Sequence, residues 1–331
     1  MTTKFKSCYI LYILRNQMSS IDEPIFLVGA ERSGTTVLRL MLRAHSQISW
    51  CNEFEYVVDL MNDEQQWPDL DTYYNWLKTH RIFRASNFKI DISLDYPQLV
   101  NSFLRQKKEK EKKPIVGATV HRHFDNLLRI WPKAKFIHIV RDGRDVARSC
   151  IGMGWAGNVW TGIERWIEVE HLWAEMKDSL SESQKIEITY ESLIGDAENT
   201  LEQLCNFIGV SFEPAMLEYY KNTSYDLPNP KLLYQWKTKL SNREIQLIES
   251  RIAQMLVERN YELSNLPAMK PGWLSRSTLR TQCWWKRLQF RVNQQGLSLF
   301  AADYVARKLN INSWKQNTKL KINAIVQSQL K

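Results

Sequence analysis

The residues from Pro24 to Thr36, PIFLVGAERSGTT, combine an apolar run with a turn bracketed by two glycines and followed by two threonines. The apolar residues 25–28 predict a short buried strand, and apolar side chains recur at helical spacing after Gly34. A strand, a glycine turn and a helix start direct backbone N–H groups and the helix dipole at one point. The chemistry that this stretch indicates is the binding of a phosphate or sulfate group.

The turn matches a nucleotide-binding P-loop, G-x-x-x-x-G-K-[ST], at every position except the lysine. Gly29, Gly34 and Thr36 fit, whereas Thr35 stands in the lysine position and Arg32 lies inside the loop. Transfer of a γ-phosphoryl group from ATP depends on that missing charge. Taken alone, the stretch is also compatible with an ordinary turn between a strand and a helix.

Two later stretches carry further polar groups at predicted element ends. The strand signal KFIHIVR ends in Arg141, and Ser149 follows eight residues later on the next predicted helix. Tyr190 opens the segment YESLI after another short strand. An arginine fork beside a hydroxyl suits a phosphate dianion. Arg141 alone could instead form a structural ion pair with Asp142 or Asp145.

Strands alternate with helices along the chain, which predicts an α/β fold with three layers: a central parallel sheet, P-loop-like, with helices on both faces. A second strand is expected at Ile48 to Cys51, and Glu53 and Glu55 follow its carboxyl end, where such sheets place their ligands. A helical insertion is expected at about 56–113, and one long helix at about 159–180.

Charge is distributed unevenly in this chain of 331 residues with net charge +9. Residues 265–331 hold 12 Lys or Arg and one acid, or +11, so the remainder, with 33 basic and 35 acidic residues, is −2. We expect three parts: a dispensable N-terminal extension at 1–20, a central α/β domain at 21–264, and a basic helical extension at 265–331. The C-terminal extension would dock against the rest of the protein through Trp284, Trp285 and Phe290.

The cysteine content and the charge distribution limit the kinds of site and partner that are expected. Five cysteines are scattered without a C-x-x-C pair, so neither a disulfide framework nor a metal site is indicated, and a cytoplasmic location is expected. Because the basic excess belongs to the tail, no nucleic-acid partner is predicted. The tail could contact an anionic membrane or an acidic partner.

The three polar stretches, in this order, resemble the sulfotransferase family, which transfers a sulfuryl group from 3′-phosphoadenosine-5′-phosphosulfate (PAPS). The likeness covers about residues 24–260 and is greatest to the bacterial and tyrosylprotein sulfotransferases. It implies a PAPS-dependent enzyme without a metal. The acceptor class stays open: a carbohydrate, lipid, phenol or peptide hydroxyl, or an amine.

The resemblance also implies roles for residues at matching positions. The loop would hold the phosphosulfate, the strand-end arginine and the helical serine would hold the 3′-phosphate, and a late loop would close over the cofactor. The residues implied to bind the cofactor are Arg32, Ser33, Gly34, Thr35, Thr36, Arg141, Ser149, Tyr190, Trp236 and Lys237.

The resemblance places a base at Glu53, 21 residues after Arg32, with Glu55 as the near alternative. It also reveals a departure, because many relatives carry a lysine in a K-[TD]-P segment, whereas this chain reads VGATVHRH at 116–123. His121 or Arg122 could supply the missing positive or donor group. His121 could instead be the base, so the catalytic candidates are Glu53, Arg32 and His121.

Two other functions remain open from the sequence: a P-loop kinase that uses ATP and Mg²⁺, and a nucleotide-binding protein that has lost catalysis. The missing P-loop lysine disfavours the first, and the missing K-[TD]-P lysine favours the second.

We expect adenosine 3′,5′-bisphosphate without metal to raise the melting temperature more than ATP with Mg²⁺, because only the former offers a 3′-phosphate to Arg141 and Ser149. A thermal-shift titration checks this, and a larger shift with ATP and Mg²⁺ would favour the kinase.

Overall fold

The protein is described from a computed structural model that covers residues 20–61, 66–223, 225, 227 and 229–329. Residues 1–19, and with them almost all of the expected N-terminal extension, lie outside the described residues.

The described chain forms one sheet of short strands. The five strands are β1 (Ile25–Val28), β2 (Ile48–Glu53), β3 (Ile115–Val120), β4 (Lys135–Val140) and β5 (Lys185–Thr189).

Helices separate the strands and continue after the last one. Those up to the end of β5 are α1 (Thr35–Ala44), α2 (Leu70–Leu77), α3 (Arg81–Ser86), α4 (Tyr96–Glu111), α5 (Leu127–Ile130), α6 (Gly143–Gly152), α7 (Val159–Gly162) and α8 (Glu164–Lys177). Those after β5 are α9 (Tyr190–Gly195), α10 (Ala197–Ile208), α11 (Trp236–Lys239), α12 (Asn242–Glu258), α13 (Trp273–Gln295), α14 (Leu297–Lys308) and α15 (Asn312–Gln329).

All five strands are parallel, in the order β2-β3-β1-β4-β5. Successive residues of β1 point into opposite cores, with Phe26 and Val28 in one hydrophobic cluster and Ile25 and Leu27 in the other. The strand is therefore buried on both faces, as parallel sheets require. The predicted α/β fold with a central parallel sheet is confirmed.

Two element bounds differ from expectation. Strand β2 continues to Glu53, with a register irregularity between Cys51 and Glu53. The single helix expected at 159–180 is divided into α7 and α8 and ends at Lys177. The division falls at Gly162, where an added Cβ would lie 2.5 Å from the carbonyl oxygen of Ala147, so α6 and α7 approach more closely than side chains would permit.

The region 56–113 contains helices α2, α3 and α4. The charged run at its end is the last part of α4, where Glu111 pairs with Lys107 and Arg43. Lys113 donates from Nζ to the carbonyl oxygens of Arg43, His45 and Ile48 at 2.8, 2.8 and 3.1 Å. This lysine satisfies carbonyl groups at the end of α1 that the helix itself leaves open.

The C-terminal helices pack against the sheet domain at two places. Cys283 on α13 accepts a hydrogen bond from the Gly157 amide, with N and Sγ 3.3 Å apart, and Phe290 lies over Gly154. Helix α15 reaches the other side, where Asn323 Nδ2 donates to the Thr79 carbonyl at 3.1 Å. Docking through Phe290 is thus found.

The expected docking of Trp284 and Trp285 is wrong. These side chains are 62% and 53% exposed, because the neighbouring Cys283 takes the inward position of α13. The helical spacing of the aromatic residues did not distinguish which side of α13 faces the protein.

A charge cluster joins β4, β5 and α8, and two of its members, His138 and Glu170, are buried. His138 Nε2 is 3.1 Å from Glu170 Oε1, and its Nδ1 is 3.5 Å from Glu187 Oε2; Arg259 pairs with both carboxylates. Burial disfavours the charged imidazole, but Glu170 and Glu187 outweigh this and raise the pKa of His138. Burial likewise opposes the Glu187 carboxylate, but His138 and Arg259 lower its pKa to about 2.

We expect replacement of His138 by glutamine to destabilise the protein most at acidic to neutral pH. A raised pKa in the folded state stabilises the fold below the unfolded value and loses this contribution as pH rises through the folded value. The difference in melting temperature between wild type and His138→Gln should therefore shrink as the pH rises above the ordinary histidine pKa of about 6.5. A pH-independent difference would contradict the assignment of a charged imidazole.

Candidate functional site

The carboxyl ends of β1, β4 and β5 meet around the glycine-bracketed loop. Gly34 has a left-handed backbone with φ of 93°, and Arg32 shares that region with φ of 74°. A Cβ atom at Gly34 would lie 2.2 Å from Cδ2 of Tyr190. The Tyr190 ring therefore lies directly against the loop, and only glycine permits that contact.

The start of α1 offers groups that could hold an anion. The first N–H groups of a helix have no intrahelical partner, and Gly34 provides no side-chain cap. The Thr35 and Thr36 hydroxyls make no hydrogen bond to any described residue, which leaves them available. Ser33 differs, because it is completely buried, its amide donates to the Ala30 carbonyl at 3.1 Å, and its Oγ has no partner in the described structure.

Arg32, Arg141 and Ser149 converge beside the loop. Arg32 Nε donates to Ser149 Oγ at 2.9 Å, and Arg141 Nη1 donates to the Arg32 carbonyl at 3.2 Å. The Arg141 guanidinium lies 4.4 Å from the centre of the Tyr190 ring, and its Nε is buried without a hydrogen-bond partner among the described residues. A buried donor without a partner beside a second arginine and a hydroxyl fits a phosphate dianion.

Arg141 also forms the ion pair that was the structural alternative. Its Nη2 is 3.5 Å from Asp145 Oδ2, whereas Asp142 binds Arg144 at 2.7 Å. Burial raises the pKa of Asp145, while Arg141 acts to lower it. The carboxylate therefore orients Arg141 without occupying its whole fork.

The predicted closing loop lies next to this pair. The Trp236 amide donates to Asp145 Oδ1 at 2.7 Å, and the Trp236 ring is buried against the Arg144 guanidinium, 3.5 Å from the ring centre. Lys237 is exposed and its Nζ lies 3.4 Å from Glu262 Oε2. Asp145 thus joins the loop to Arg141, while neither predicted side chain makes a hydrogen bond or an ion pair with the other predicted cofactor residues in the described structure.

The two acids after β2 occupy different environments. Glu53 is 45% exposed and lies 4.0 Å from Arg81 Nη2. Glu55 is buried and accepts a hydrogen bond from the His121 amide at 3.0 Å. Burial raises the pKa of Glu55, and the nearby His121 acts against it. Glu53 is therefore the acid of this pair that a substrate could reach.

His121 connects the end of β3 to the glycine loop. Its Nδ1 lies 2.8 Å from the Gly29 carbonyl oxygen, which can only accept, so Nδ1 carries the proton. Nε2 has no hydrogen-bond partner in the described part of the chain and remains the free ring nitrogen. Arg122 is held in a two-point pair with Asp59 at 2.8 and 2.7 Å, which occupies one edge of its fork.

Arg39 is a candidate that the sequence reasoning missed. It lies on α1 four residues after Thr35, hence on the same side of the helix, and its Nε is buried without a hydrogen-bond partner in the described structure. Burial lowers its pKa, and the Glu53 and Glu55 carboxylates act against this. The spacing of Arg39 from Thr35 was a signal that could have revealed it.

The sequence reasoning also missed an ion pair on the other side of the loop. Glu31 pairs with Arg165 of α8, and the Arg165 guanidinium lies 5.0 Å from the centre of the Trp155 ring. The two charged residues are 134 positions apart, so no local pattern could have joined them.

Within residues 20–61, 66–223 and 229–329, no helix combines the length and the apolar character needed to cross a membrane.

The chain is similar to known sulfotransferases. A model of the "Sulfotransferase family" matches residues 24–214. Protein-tyrosine sulfotransferase A of Caenorhabditis elegans is 23% identical over 220 residues, which cover 61% of this chain and 54% of the relative. A Mycobacterium bovis protein named omega-hydroxy-beta-dihydromenaquinone-9 sulfotransferase is 31% identical over 281 residues, which cover 62% of this chain and 70% of that protein.

Among solved structures, the sulfotransferase domain from the curacin biosynthetic pathway has the same fold. The match has a TM-score of 0.56 and 18% identity and covers 74% of this chain and 99% of that domain. The chain spans about half the length of the tyrosine sulfotransferase that it matches.

We expect Arg141→Ala to weaken binding of adenosine 3′,5′-bisphosphate by about 10- to 100-fold, because a charged hydrogen-bond pair is worth about 1.5–3 kcal/mol. Binding of 5′-AMP, which lacks the 3′-phosphate, should change little. Isothermal titration calorimetry with both nucleotides measures the difference, and an equal loss for both would contradict a 3′-phosphate site at Arg141.

Proposed function

The chain belongs to the sulfotransferase family, and we propose that it transfers a sulfuryl group from PAPS to an acceptor hydroxyl. The observation that supports the proposal is the closeness of two groups of residues that could each hold an anion. One is the start of α1 with its free Thr35 and Thr36 hydroxyls, and the other is the convergence of Arg32, Arg141 and Ser149.

The two subsites match the two charged ends of PAPS. The amides at the start of α1 would hold the 5′-phosphosulfate, as helix N-termini hold phosphates in general. Arg141 and Ser149 would hold the 3′-phosphate, which ATP lacks. Arg32 contacts Ser149 and belongs to the loop itself, so its charge lies between the two ends.

The reaction that this arrangement supports is an in-line displacement at sulfur. The acceptor oxygen forms a bond to sulfur while the bond from sulfur to the 5′-phosphate oxygen breaks, and the acceptor proton passes to a base. The products are a sulfate ester and adenosine 3′,5′-bisphosphate. The loop amides, Arg32 and the two threonine hydroxyls would stabilise the charge that develops on the leaving phosphate.

Glu53 is the proposed base, because it is the exposed carboxylate at the carboxyl edge of the sheet. Arg39 and Arg81 place positive charge beside it. His121 presents Nε2 as a donor or an alternative base. Arg39 is the proposed replacement for the lysine that many relatives carry, since Arg122 is already paired with Asp59.

The proposed acceptor is a carbohydrate, lipid, phenol or peptide hydroxyl, and the proposed compartment is the cytoplasm. The relatives named above are a protein-tyrosine sulfotransferase and a menaquinone sulfotransferase, so peptide and lipid hydroxyls are both represented. The described cysteines 51, 150, 205 and 283 are free and buried, which is compatible with a reducing cytoplasm.

We expect Glu53→Gln to lower the rate of transfer from PAPS by about 10²- to 10⁴-fold, the usual contribution of a positioned base. Binding of adenosine 3′,5′-bisphosphate should remain near the wild-type value. Transfer of label from ³⁵S-PAPS to a panel of hydroxyl acceptors measures the rate, and Glu198→Gln, an exposed glutamate on α10, is the matched control.

The companion variant His121→Gln separates the two candidate bases. A full rate in Glu53→Gln with a loss in His121→Gln would move the base to His121. Tight bisphosphate binding by a wild-type protein that transfers to no acceptor would instead favour a nucleotide-binding protein without catalysis.

A further inference from the structure

A cavity of about 870 Å³ lies between the C-terminal helices and the sheet domain. One wall comes from α13 and α14, and the other comes from α7, α8 and residues 150–156. The cavity is open to solvent on one side. It is separate from the convergence of Arg141 and Ser149, and none of the residues assigned above to PAPS lines it.

Five arginines line this cavity, against two acids, Glu164 and Glu168; the arginines are Arg165, Arg280, Arg287, Arg291 and Arg307.

Only two of the five have a carboxylate partner. Arg165 pairs with Glu31, and Arg307 pairs with Asp303. Within the described residues, the other three arginine side chains make no ion pair and no hydrogen bond.

Positive charges in the cavity oppose one another. Burial and the neighbouring guanidinium groups of Arg287 and Arg307 lower the pKa of Arg291, and only Asp303 acts against them. Like charges held together in a partly desolvated wall are unfavourable until an anion joins them. A carboxylate or phosphate between these arginines would form charge-assisted hydrogen bonds with more than one of them.

The rest of the cavity is apolar. Trp155, Trp284, Leu288, Phe300 and Tyr304 line it together with the arginines. The exposed ring of Trp284 borders this cavity instead of the core. A ligand that fits both surfaces has an anionic group and an apolar body.

The cavity adjoins the donor site through two links. Arg165 lines it and pairs with Glu31, which immediately precedes Arg32 in the glycine loop. Cys150 also lines it and immediately follows Ser149 on α6.

The wall that α13 contributes is fixed by close contacts with the loop after α6. An added Cβ at Gly154 would lie 2.3 Å from Phe290, and one at Gly157 would lie 2.5 Å from Cys283. Asn158 Nδ2 donates to the Leu279 carbonyl at 2.7 Å. The close packing of α13 against residues 154–158 therefore makes the C-terminal helices part of the wall of this cavity.

We infer that this cavity binds the anionic group and apolar body of an amphiphilic acceptor whose hydroxyl receives the sulfuryl group. The inference rests on the proposed sulfotransferase function and narrows its acceptors to organic anions, such as hydroxylated carboxylates or phosphate monoesters.

The first test measures binding of octyl phosphate to the full chain saturated with adenosine 3′,5′-bisphosphate, by isothermal titration calorimetry. The nucleotide fills the two donor subsites, so only another anion site can respond. We expect octyl phosphate to bind at least about tenfold more tightly than octanol or inorganic phosphate. The double variant Arg287→Gln/Arg291→Gln should lose that advantage.

The matched control is Lys308→Gln, which removes a positive charge from an exposed position of α14 outside the cavity. It should bind octyl phosphate as wild type does. Equal binding by the double variant and wild type would overturn the inference, as would octyl phosphate binding no better than octanol.

The second test asks whether the site selects acceptors. Transfer from PAPS is measured with ω-hydroxyalkanoates of several chain lengths and with the matching diols. We expect at least one acid to exceed its diol in kcat/KM by about tenfold or more, and this preference should disappear in Arg287→Gln/Arg291→Gln but not in Lys308→Gln. Preference for the diol at every length would overturn the acceptor role even if octyl phosphate binds.

Nucleotide binding separates failure of this inference from failure of the proposed function. Wild type and all variants should be stabilised equally by adenosine 3′,5′-bisphosphate, which also shows that each variant is folded. A wild-type protein that does not bind the bisphosphate contradicts the proposed function. Normal bisphosphate binding with no response at Arg287 and Arg291 contradicts only the inference about the cavity.

Discussion

The donor site depends on the missing side chain of Gly34. Because this residue has no Cβ, the Tyr190 ring lies against the loop, and Arg141 stacks on the same ring at 4.4 Å. The ends of β1, β4 and β5 are thereby joined through one aromatic ring. A side chain at Gly34 would displace Tyr190 and with it Arg141, so one steric constraint fixes how Arg141 lies relative to the glycine loop.

Three basic side chains near the glycine loop, Arg32, Arg141 and His121, are each oriented by a neighbour that leaves part of their hydrogen-bonding capacity free. Asp145 holds Arg141 from one side while the Arg141 Nε stays without a partner in the described structure, and Ser149 accepts from Arg32. His121 is held through Nδ1 by the Gly29 carbonyl, so Nε2 faces elsewhere. Such an arrangement is set before a ligand arrives, which reduces the reorganisation that charge development requires.

The convergence of the glycine loop with Arg141 and Ser149 was predictable because its signals are local. The glycine spacing, the strand end at Arg141 and the helical position of Ser149 are each contained in a short stretch, and parallel strands must bring their carboxyl ends together. The pairing of Glu31 with Arg165 and the inward position of Cys283 were not predictable, since they depend on contacts between residues more than 100 positions apart. Local periodicity cannot decide between neighbouring residues such as Cys283 and Trp284 when a distant loop selects one of them.

The two contacts of the C-terminal helices have a consequence for the order in which the molecule is completed. Cys283 meets Gly157 across 126 residues, and Asn323 meets Thr79 across 244. During synthesis from the N-terminus, the strands and loops of the sheet domain are all available before either contact can form. The loop and strand ends that bring Arg32, Arg141 and Ser149 together can therefore be assembled on the ribosome while the neighbouring cavity still lacks the wall that α13 and α14 form.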